Sequence, residues 1–171
     1  MSGKTLLAIH DVNSMTFEQF TTVFGNVVEH CSLCAAAVWQ HRPFTDVDHI
    51  HQLICDVLDN FPNDAKQGVL CLHPDLAGSV AGLTSESQNE QKAAGIDSLT
   101  QDERAKMQER NTSYREKFGF PFVICARKNK TQAILDGLKL RLQNNIEEEV
   151  RNGVEQVKEI ALLRLFSIVE H

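Results

Sequence analysis

His73 is the first side chain whose surroundings in the sequence suit acid–base chemistry. It lies in "LHPDLAG", where Pro74 lacks a backbone N–H and biases His73 away from helical dihedral angles. The imidazole is therefore predicted to stand on a stiff turn with Asp75 close by. Imidazole ordinarily titrates near neutral pH, which suits it to proton transfer in catalysis. A second interpretation stays open, in which the segment is only a turn and Asp75 caps the next helix.

Glu90 lies in "SESQNEQ", where polar residues crowd the first turns of a predicted helix. Free N–H groups and the helix dipole favour an anion there, either on the protein or on a ligand. The alternative is that Glu90 only closes a capping box with Ser87, and Ser85 with Gln88 fits the same pattern. Glu86 lies four residues before Glu90, so periodicity does not decide which carboxylate faces the interior.

Arg164 lies in the middle of an apolar helix face near the end of the chain. At about 100° per residue, it shares that face with Ile146, Val150, Val154, Val157, Ile160, Ala161 and Ile168. A guanidinium keeps its charge in proteins, and burying it unpaired costs several kcal/mol. The sequence therefore predicts an anionic group opposite Arg164, unless the segment is not helical.

A third candidate segment is "KFGFPFVICAR", which is apolar and yet unsuited to a regular helix. Phe118, Phe120 and Phe122 alternate, Gly119 permits an unusual turn, and Pro121 forbids a continuous helix. The backbone N–H and C=O groups of such a segment need partners. A polar ligand could supply them, and so could ordinary internal hydrogen bonds.

The signals for a metal site are weak. Cys31 and Cys34 in "CSLC" have metal-ligand spacing, but no second pair follows them, and the neighbouring residues indicate a buried helix. His49 and His51 fall on different faces of a helix. We therefore predict no metal ligands in this chain. Phosphate-binding and nucleophile-elbow motifs are also absent from the sequence.

Apolar residues recur at helical spacing through most of the chain, so helices must position these side chains. The predicted helices are "VNSMTFEQFTTVFGNVVEH" opening at Asn13 and Ser14, with Phe17, Phe20, Val23 and Val27 on one face; "SLCAAAVWQ"; residues 46–61, with Val47, Ile50, Leu53, Ile54 and Leu58 inward; "LTSESQNEQKAAG", ended by Gly95; "LTQDERAKMQERNTSYREKFG", capped by Thr100 with Glu103 and with Met107, Tyr114 and Phe118 inward; "TQAILDGLKLRLQN"; and "IEEEVRNGVEQVKEIALLRLFSIVE". The stretch "NFPNDAKQGV" is interpreted as a polar connection.

The only strong strand candidate is "FPFVICAR", and one strand cannot form a sheet. We predict an all-α fold, a compact bundle of about seven to nine helices in a single domain, residues 1–171.

Composition excludes several classes of protein. Of 171 residues, 42% are hydrophobic and 23% are charged, as in ordinary globular proteins. The net charge of −6 argues against general nucleic-acid binding. No apolar run approaches the roughly 20 residues of a membrane span, and the opening residues lack a signal-peptide core. The five irregularly spaced cysteines indicate reduced thiols in an intracellular compartment.

Four segments in this order resemble one family closely: "HPDLAG", "LTSESQNEQKAAG", "YREKFGFPFVICAR" and "ALLRL". It is the family of 2-oxo-4-hydroxy-4-carboxy-5-ureidoimidazoline (OHCU) decarboxylases of urate degradation. The segments "VNSMTFEQFTTVFGNVVEH" and "AAAVWQHRPF" are similar to the animal members, so the resemblance covers nearly the whole chain.

The resemblance implies an all-helical homodimer that uses neither a metal nor an organic cofactor. It implies stereoselective decarboxylation of OHCU to (S)-allantoin and CO₂, with His73 and Glu90 as catalytic residues. The substrate-binding residues that it implies are Pro74, Ser87, Gln88, Asn89, Glu90, Gln91, Phe122, Val123, Ile124, Cys125, Ala126 and Arg164. Nucleic acid and membrane are not expected as partners.

Location and rival functions are left open by the sequence. Animal members often end in a peroxisomal tripeptide of the S-K-L type, whereas this sequence ends in "SIVEH". The family resemblance leads us to expect a peroxisomal location. The different C-terminal residues leave a cytoplasmic location as the alternative. The rival functions are hydrolysis of the preceding intermediate, 5-hydroxyisourate, and a catalytically idle helical binding module.

Overall fold

Residues 5–171, which a computed structural model describes, are predominantly α-helical. Their nine α-helices are α1 (Ile9–Asn13), α2 (Phe17–Phe24), α3 (Ser32–Trp39), α4 (Val47–Asn60), α5 (Asn63–Cys71), α6 (Ser85–Ala93), α7 (Gln101–Phe118), α8 (Thr131–Arg141) and α9 (Ile146–Phe166). Short 3₁₀ turns cover Ile96–Ser98 and Ala126–Lys128. These residues form no strand, since Leu7 and Val169 make only an isolated bridge. The all-α prediction of seven to nine helices is confirmed. Within the described residues, we find no helix with the length and apolar character needed to span a bilayer.

The chain divides into two compact units. The terminal unit comprises Met1–Pro62 and Lys158–His171, and its first four residues lie outside the described part. The central unit comprises Asn63–Val157. Helix α9 begins in the central unit and ends in the terminal unit. That residues 1–171 form a single domain stays a prediction.

In the terminal unit, α2 is shorter than predicted. Instead of opening a helix there, Asn13 exchanges two side-chain hydrogen bonds with the backbone of Phe44, at 2.9 and 2.7 Å. A capping box between Thr16 and Gln19 then starts α2, which ends before Gly25. The predicted inward face was half wrong. Phe20 and Val27 are buried as expected, whereas Phe17 and Val23 are exposed.

Helix α4 follows its predicted bounds of 46–61 closely. The Asp46 side chain accepts a hydrogen bond from the His49 N–H at 2.8 Å and so caps the helix. Of the predicted inward residues, Val47, Ile50, Ile54 and Leu58 are buried and Leu53 is half-buried. Helix α3 packs on both α2 and α4, so its short apolar sequence is accounted for by contacts with two neighbours.

The central unit begins with α5, which the sequence analysis missed. The segment interpreted as a polar connection is helical from Asn63 to Cys71. Only Val69 and Leu70 of this helix are buried, so its sequence lacks the periodic apolar stripe on which helix prediction depends. Its position matters because His73 follows its last residue by two positions.

Helix α7 has the predicted start and inward face. Thr100 and Glu103 form the predicted capping box, with both hydrogen bonds present. The predicted inward residues Met107, Tyr114 and Phe118 are all buried. Gly119 ends the helix with a φ of 82°, a left-handed conformation that glycine adopts without strain.

Helix α9 contains most of the predicted apolar stripe. Val150, Val154, Val157, Ile160 and Ala161 are buried, and so is Arg164. Two members were wrong: Ile146 is 44% exposed at the first residue of the helix, and Ile168 lies beyond its end at Phe166. The ends of a helix have fewer neighbours than its middle, which is why the stripe fails there.

Candidate active site

The His73 imidazole is held by the end of α5. His73 is buried, and its backbone N–H donates to the carbonyl of Leu70 at 3.1 Å. Its Nδ1 lies 3.1 Å from the carbonyl oxygen of Val69. Because a carbonyl can only accept, Nδ1 must carry the hydrogen of this bond. Any transfer of a proton by His73 therefore takes place at Nε2.

The turn after His73 is fastened to α7. Arg115 Nε donates to both oxygens of Asp75, at 2.9 and 3.1 Å, and Asn111 donates to the carbonyl of Leu76 at 2.8 Å. The interpretation in which Asp75 caps the next helix is wrong, because α6 begins only at Ser85. Asp75 instead holds the turn through its ion pair with Arg115.

The same turn is bound to α6 at Ala77. This residue has a φ of 58°, in the left-handed region that is uncommon for residues other than glycine. Its N–H donates to Gln91 Oε1 at 3.2 Å, and its carbonyl accepts from Arg104 Nη1 at 3.2 Å. The "HPDLAG" turn and Gln91, both predicted as parts of the site, therefore lie together in the central unit.

Helix α6 starts one residue earlier than predicted, with a different cap. Thr84 accepts the hydrogen bond from the Ser87 N–H at 3.2 Å, so neither Ser85 nor Ser87 is the capping residue. The interpretation of Glu90 as the closing member of a capping box with Ser87 is therefore wrong. Glu90 instead lies in the second turn of α6, five residues after its first residue, Ser85.

The predicted binding stretch Ser87–Gln91 divides between two faces of α6. Ser87 and Gln91 are buried, and Glu90 is half-buried. Gln88 and Asn89 are exposed and line an open groove of about 310 Å³, to which Gln91 also contributes. The structure thus brings only part of this stretch to the interior of the central unit.

Glu90 and Cys125 lie near each other. The 3₁₀ turn Ala126–Lys128 packs on α6. Burial raises the pKa of the Cys125 thiol, and the charge of Glu90 adds to this increase. The predicted catalytic carboxylate and the predicted segment Phe122–Ala126 therefore occupy one region of the central unit.

Segment 122–126 is irregular, as Pro121 predicts, and is mostly buried. Part of its backbone already has protein partners. The carbonyl of Val123 accepts from Arg141 Nη1 at 2.7 Å, and the N–H of Cys125 donates to Gln156 Oε1 at 2.9 Å. The interpretation with internal hydrogen bonds is correct for these two groups. The Val123 carbonyl and the Cys125 N–H are therefore less suited to bind substrate, because each already has a partner in the protein.

A buried carboxylate that the sequence analysis missed supports this segment. Glu149 is fully buried, and its Oε2 accepts from Tyr114 Oη and, at 2.9 Å, from Arg141 Nε. Its Oε1 accepts from the amides of Asn144 and Asn152, at 2.8 and 3.0 Å. Burial, above all, and the bond to Glu149 raise the pKa of Tyr114. In "IEEEV" only the helical period distinguishes Glu149 from its exposed neighbours, because it places Glu149 at the edge of the apolar stripe, within about 20° of Ile160.

Replacing Glu149 by glutamine is expected to lower the free energy of unfolding by about 3–5 kcal/mol, because the Arg141 charge then loses its buried partner. Urea unfolding followed by circular dichroism measures the change. The matched control is Glu147→Gln, in the exposed first turn of the same helix, where we expect a loss of a few tenths of a kcal/mol. Equal stabilities of the two variants would contradict the structural role of Glu149.

Arg164 lies in the terminal unit, and its anionic partner is on the protein. Its Nη2 is 2.6 Å from Glu29 Oε2, and its Nη1 donates to the carbonyl of Asn26 at 2.8 Å. The side chains are 4% and 1% exposed, so this is a buried ion pair. An anionic group does lie opposite Arg164, as the helical pattern predicts, but it is Glu29 of the protein and not the substrate, which the resemblance implied as the partner. The sequence signal for Glu29 was a charge directly after the apolar pair in "NVVEH".

The described residues 5–171 contain no group of three or more histidine, cysteine or acidic side chains that could hold a metal ion. Nor does any pair of cysteines among them form a disulfide, since all five thiols are free.

The family model described as OHCU decarboxylase matches residues 13–166 of this sequence. The chain belongs to the OHCU decarboxylase family. The match includes every residue predicted for the site, from His73 in the central unit to Arg164 in the terminal unit.

Members of the OHCU decarboxylase family in vertebrates are similar along nearly their whole length. The 2-oxo-4-hydroxy-4-carboxy-5-ureidoimidazoline decarboxylase of Xenopus laevis is 42% identical over 160 residues, which cover 92% of this chain and 91% of that protein. The enzyme of the same name from Mus musculus is 44% identical and covers 92% and 90%.

The helical fold is also that of a solved structure, a crystal structure of (S)-allantoin synthase. The TM-score is 0.79 at 24% sequence identity. The likeness covers 96% of this chain and 54% of the other, so this chain spans about half the length of that protein. At this level of identity, the similarity shows the helical fold alone.

Proposed function

We propose that this chain decarboxylates OHCU to (S)-allantoin and CO₂ as a cofactor-independent carbon–carbon lyase in urate degradation. The observation that carries the proposal is the similarity to vertebrate OHCU decarboxylases over about nine tenths of both chains. The buried imidazole of His73, oriented through its Nδ1, is consistent with the proton transfers that this reaction needs.

The substrate itself supplies the means of stabilising the electrons that CO₂ leaves behind. The carbon that loses CO₂ is adjacent to a C=N bond of the ring, so the electron pair of the broken C–C bond moves into that bond. This is the role that an electron-withdrawing cofactor has in other decarboxylases. The protein then has to position the substrate, control the hydroxyl proton and deliver a proton to one face of a planar intermediate.

We assign the proton transfers to His73. The bond from Nδ1 to the Val69 carbonyl selects the tautomer with a lone pair on Nε2, and that atom can accept the hydroxyl proton. General acid–base catalysis of this kind contributes about 10²–10⁴ in rate. The support is the fixed orientation of the ring by α5 and by a turn that Arg115 and Asn111 hold in place.

We assign Glu90 to the ureido end of the substrate or to the orientation of the imidazole, and it is the candidate for placing the new proton. Its half-buried carboxylate beside Cys125 supports this role. A negative charge near the substrate carboxylate also raises the energy of the ground state more than that of the charge-dispersed transition state.

Arg164 is proposed to bind the substrate carboxylate. A guanidinium presents several N–H groups in a planar fork, and it can bind a second carboxylate while it remains paired with Glu29. The further substrate contacts that we propose come from Pro74, from the stretch Ser87–Gln91 and from the segment Phe122–Ala126.

We also propose that the chain forms a homodimer and that it resides in peroxisomes. Both proposals rest on the resemblance to the family and on no contact within the described residues. A cytoplasmic location is the alternative.

The function is tested with freshly generated OHCU, which decays to racemic allantoin without a catalyst. Circular dichroism of the product is expected to show (S)-allantoin only when the protein is present, together with faster release of CO₂. Ring opening of 5-hydroxyisourate without CO₂ release would support the rival hydrolase. A rate and product equal to the spontaneous reaction would leave the idle binding module as the function.

A further inference from the structure

Two cysteines face each other at the start of α3 in the terminal unit. Cys31 is the residue directly before Ser32, the first residue of the helix, and its sulfur lies 3.7 Å from that of Cys34. Cys34 is buried, whereas Cys31 is half-buried. The three other cysteines of the chain occupy unrelated positions: Cys55 next to His51, Cys71 at the surface and Cys125 in the central unit.

We propose that Cys31 and Cys34 form a redox-active dithiol, which a hydroperoxide closes to an intramolecular disulfide. The C-x-x-C spacing at the first turn of a helix puts the two side chains on the same face, and the observed sulfur–sulfur contact shows that they already meet. The sulfurs need to approach each other by only about 1.6 Å to reach bonding distance.

The two thiols differ in burial and in the direction of their pKa shifts, so that one of them reacts with the hydroperoxide before the other. The two sulfurs are in hydrogen-bond contact, and this contact with Cys34 holds the pKa of the Cys31 thiol well below its ordinary value. The same contact, together with burial, raises the pKa of Cys34. Because the thiolate is the nucleophile and Cys31 is the less buried of the two, Cys31 reacts first.

The reaction is a two-electron oxidation of the pair. The Cys31 thiolate attacks one oxygen of the hydroperoxide, the O–O bond breaks, and a sulfenic acid forms while the other oxygen leaves as hydroxide or alkoxide. The Cys34 sulfur then attacks the Cys31 sulfur, the S–O bond breaks, and water leaves with the Cys34 proton. The two thiols lose two hydrogen atoms in total, and the peroxide is reduced.

The pair is directly connected to the residues that hold Arg164. His30, next to Cys31, has a left-handed φ of 49°, and its N–H donates to the Asn26 side chain at 2.9 Å. Asn26 and Glu29 are the partners of Arg164. Closure of the disulfide pulls on this short backbone segment and therefore on the Arg164 guanidinium. This consequence for substrate binding rests on the proposed function.

Mass spectrometry of the full chain after treatment with hydrogen peroxide tests the dithiol. Without a reductant, the mass of the peptide that contains both cysteines is expected to be lower by two hydrogens. Treatment with a reductant is expected to restore its original mass. Cys34→Ser is expected to stop at a sulfenic acid on Cys31 that dimedone traps, and Cys31→Ser is expected to give neither product. The control is Cys71→Ser, which removes the exposed thiol and leaves the disulfide unaffected. Absence of the disulfide in wild type, or its disappearance in the control, overturns the proposal.

Kinetics after removal of the peroxide test the connection to Arg164. The oxidised wild type is expected to show a KM for OHCU about tenfold higher than the reduced form, the effect of weakening one charge-assisted hydrogen bond. Cys34→Ser, treated identically, serves as the control without a disulfide. An unchanged KM in a protein that has formed the disulfide refutes the connection. Inactivity of both forms instead refutes the proposed function, while the mass measurement still decides the dithiol chemistry.

Discussion

Replacing His73 by asparagine is expected to lower kcat for OHCU decarboxylation by at least about a hundredfold, because asparagine cannot exchange a proton near neutral pH. The substitution is chosen to separate catalysis from folding. An asparagine amide can donate to the Val69 carbonyl as Nδ1 of His73 does, so the turn keeps its hydrogen bond. We expect the unfolding midpoint to remain close to that of wild type.

The rate is measured as the appearance of (S)-allantoin by circular dichroism, after subtraction of the spontaneous decay. His41→Asn provides the matched control, because His41 is an exposed histidine of the terminal unit, and we expect it to retain full turnover. Near-normal kcat in the His73 variant would assign the proton transfers to another group. A low rate with a disordered far-ultraviolet spectrum would instead identify His73 as a residue of the fold.

Arg164→Ala is expected to lower the free energy of unfolding by about 3–5 kcal/mol, because it leaves the Glu29 carboxylate buried without its partner. Glu29 is almost completely inaccessible, and both of the bonds to Arg164 described above are lost. Urea unfolding measures this effect. Arg151→Ala is the control, since Arg151 is an exposed arginine on the same helix.

Arg164→Lys separates the structural from the binding role of this residue. Lysine keeps the positive charge beside Glu29, so we expect most of the stability to be retained. It lacks the planar fork, so KM for OHCU is expected to rise at least about tenfold. A lysine variant that binds OHCU as tightly as wild type would refute the bidentate recognition of the substrate carboxylate.

The elements that could be predicted from the sequence are those whose signals are local. The capping box of Thr100 and Glu103 and the inward face of α7 depend on residues three or four positions apart, and both were correct. Helix α5 was missed because its sequence has no periodic apolar stripe and only Val69 and Leu70 are buried. Tertiary contacts routinely override such weak local preferences.

The candidate site follows the same division. The stiff turn at His73 could be predicted, because proline restricts its neighbours wherever it occurs. The true role of Asp75 could not, because Arg115 lies forty positions away. Likewise the cap of α6 was assigned to serine instead of Thr84, since several consecutive residues in "LTSES" are equally suited to capping.

By itself, the sequence determined that the chain is all-α, that α9 has an apolar face with a charge in its middle, and that this charge requires an anion. Its motifs also determined the family. Only the tertiary structure decided that the anion is Glu29 and that Glu149 is buried among four hydrogen-bond donors. The physical reason is that the cost of desolvating a buried charge already indicates, from the local sequence, that a partner is required. The packing of the helices determines which distant residue is that partner.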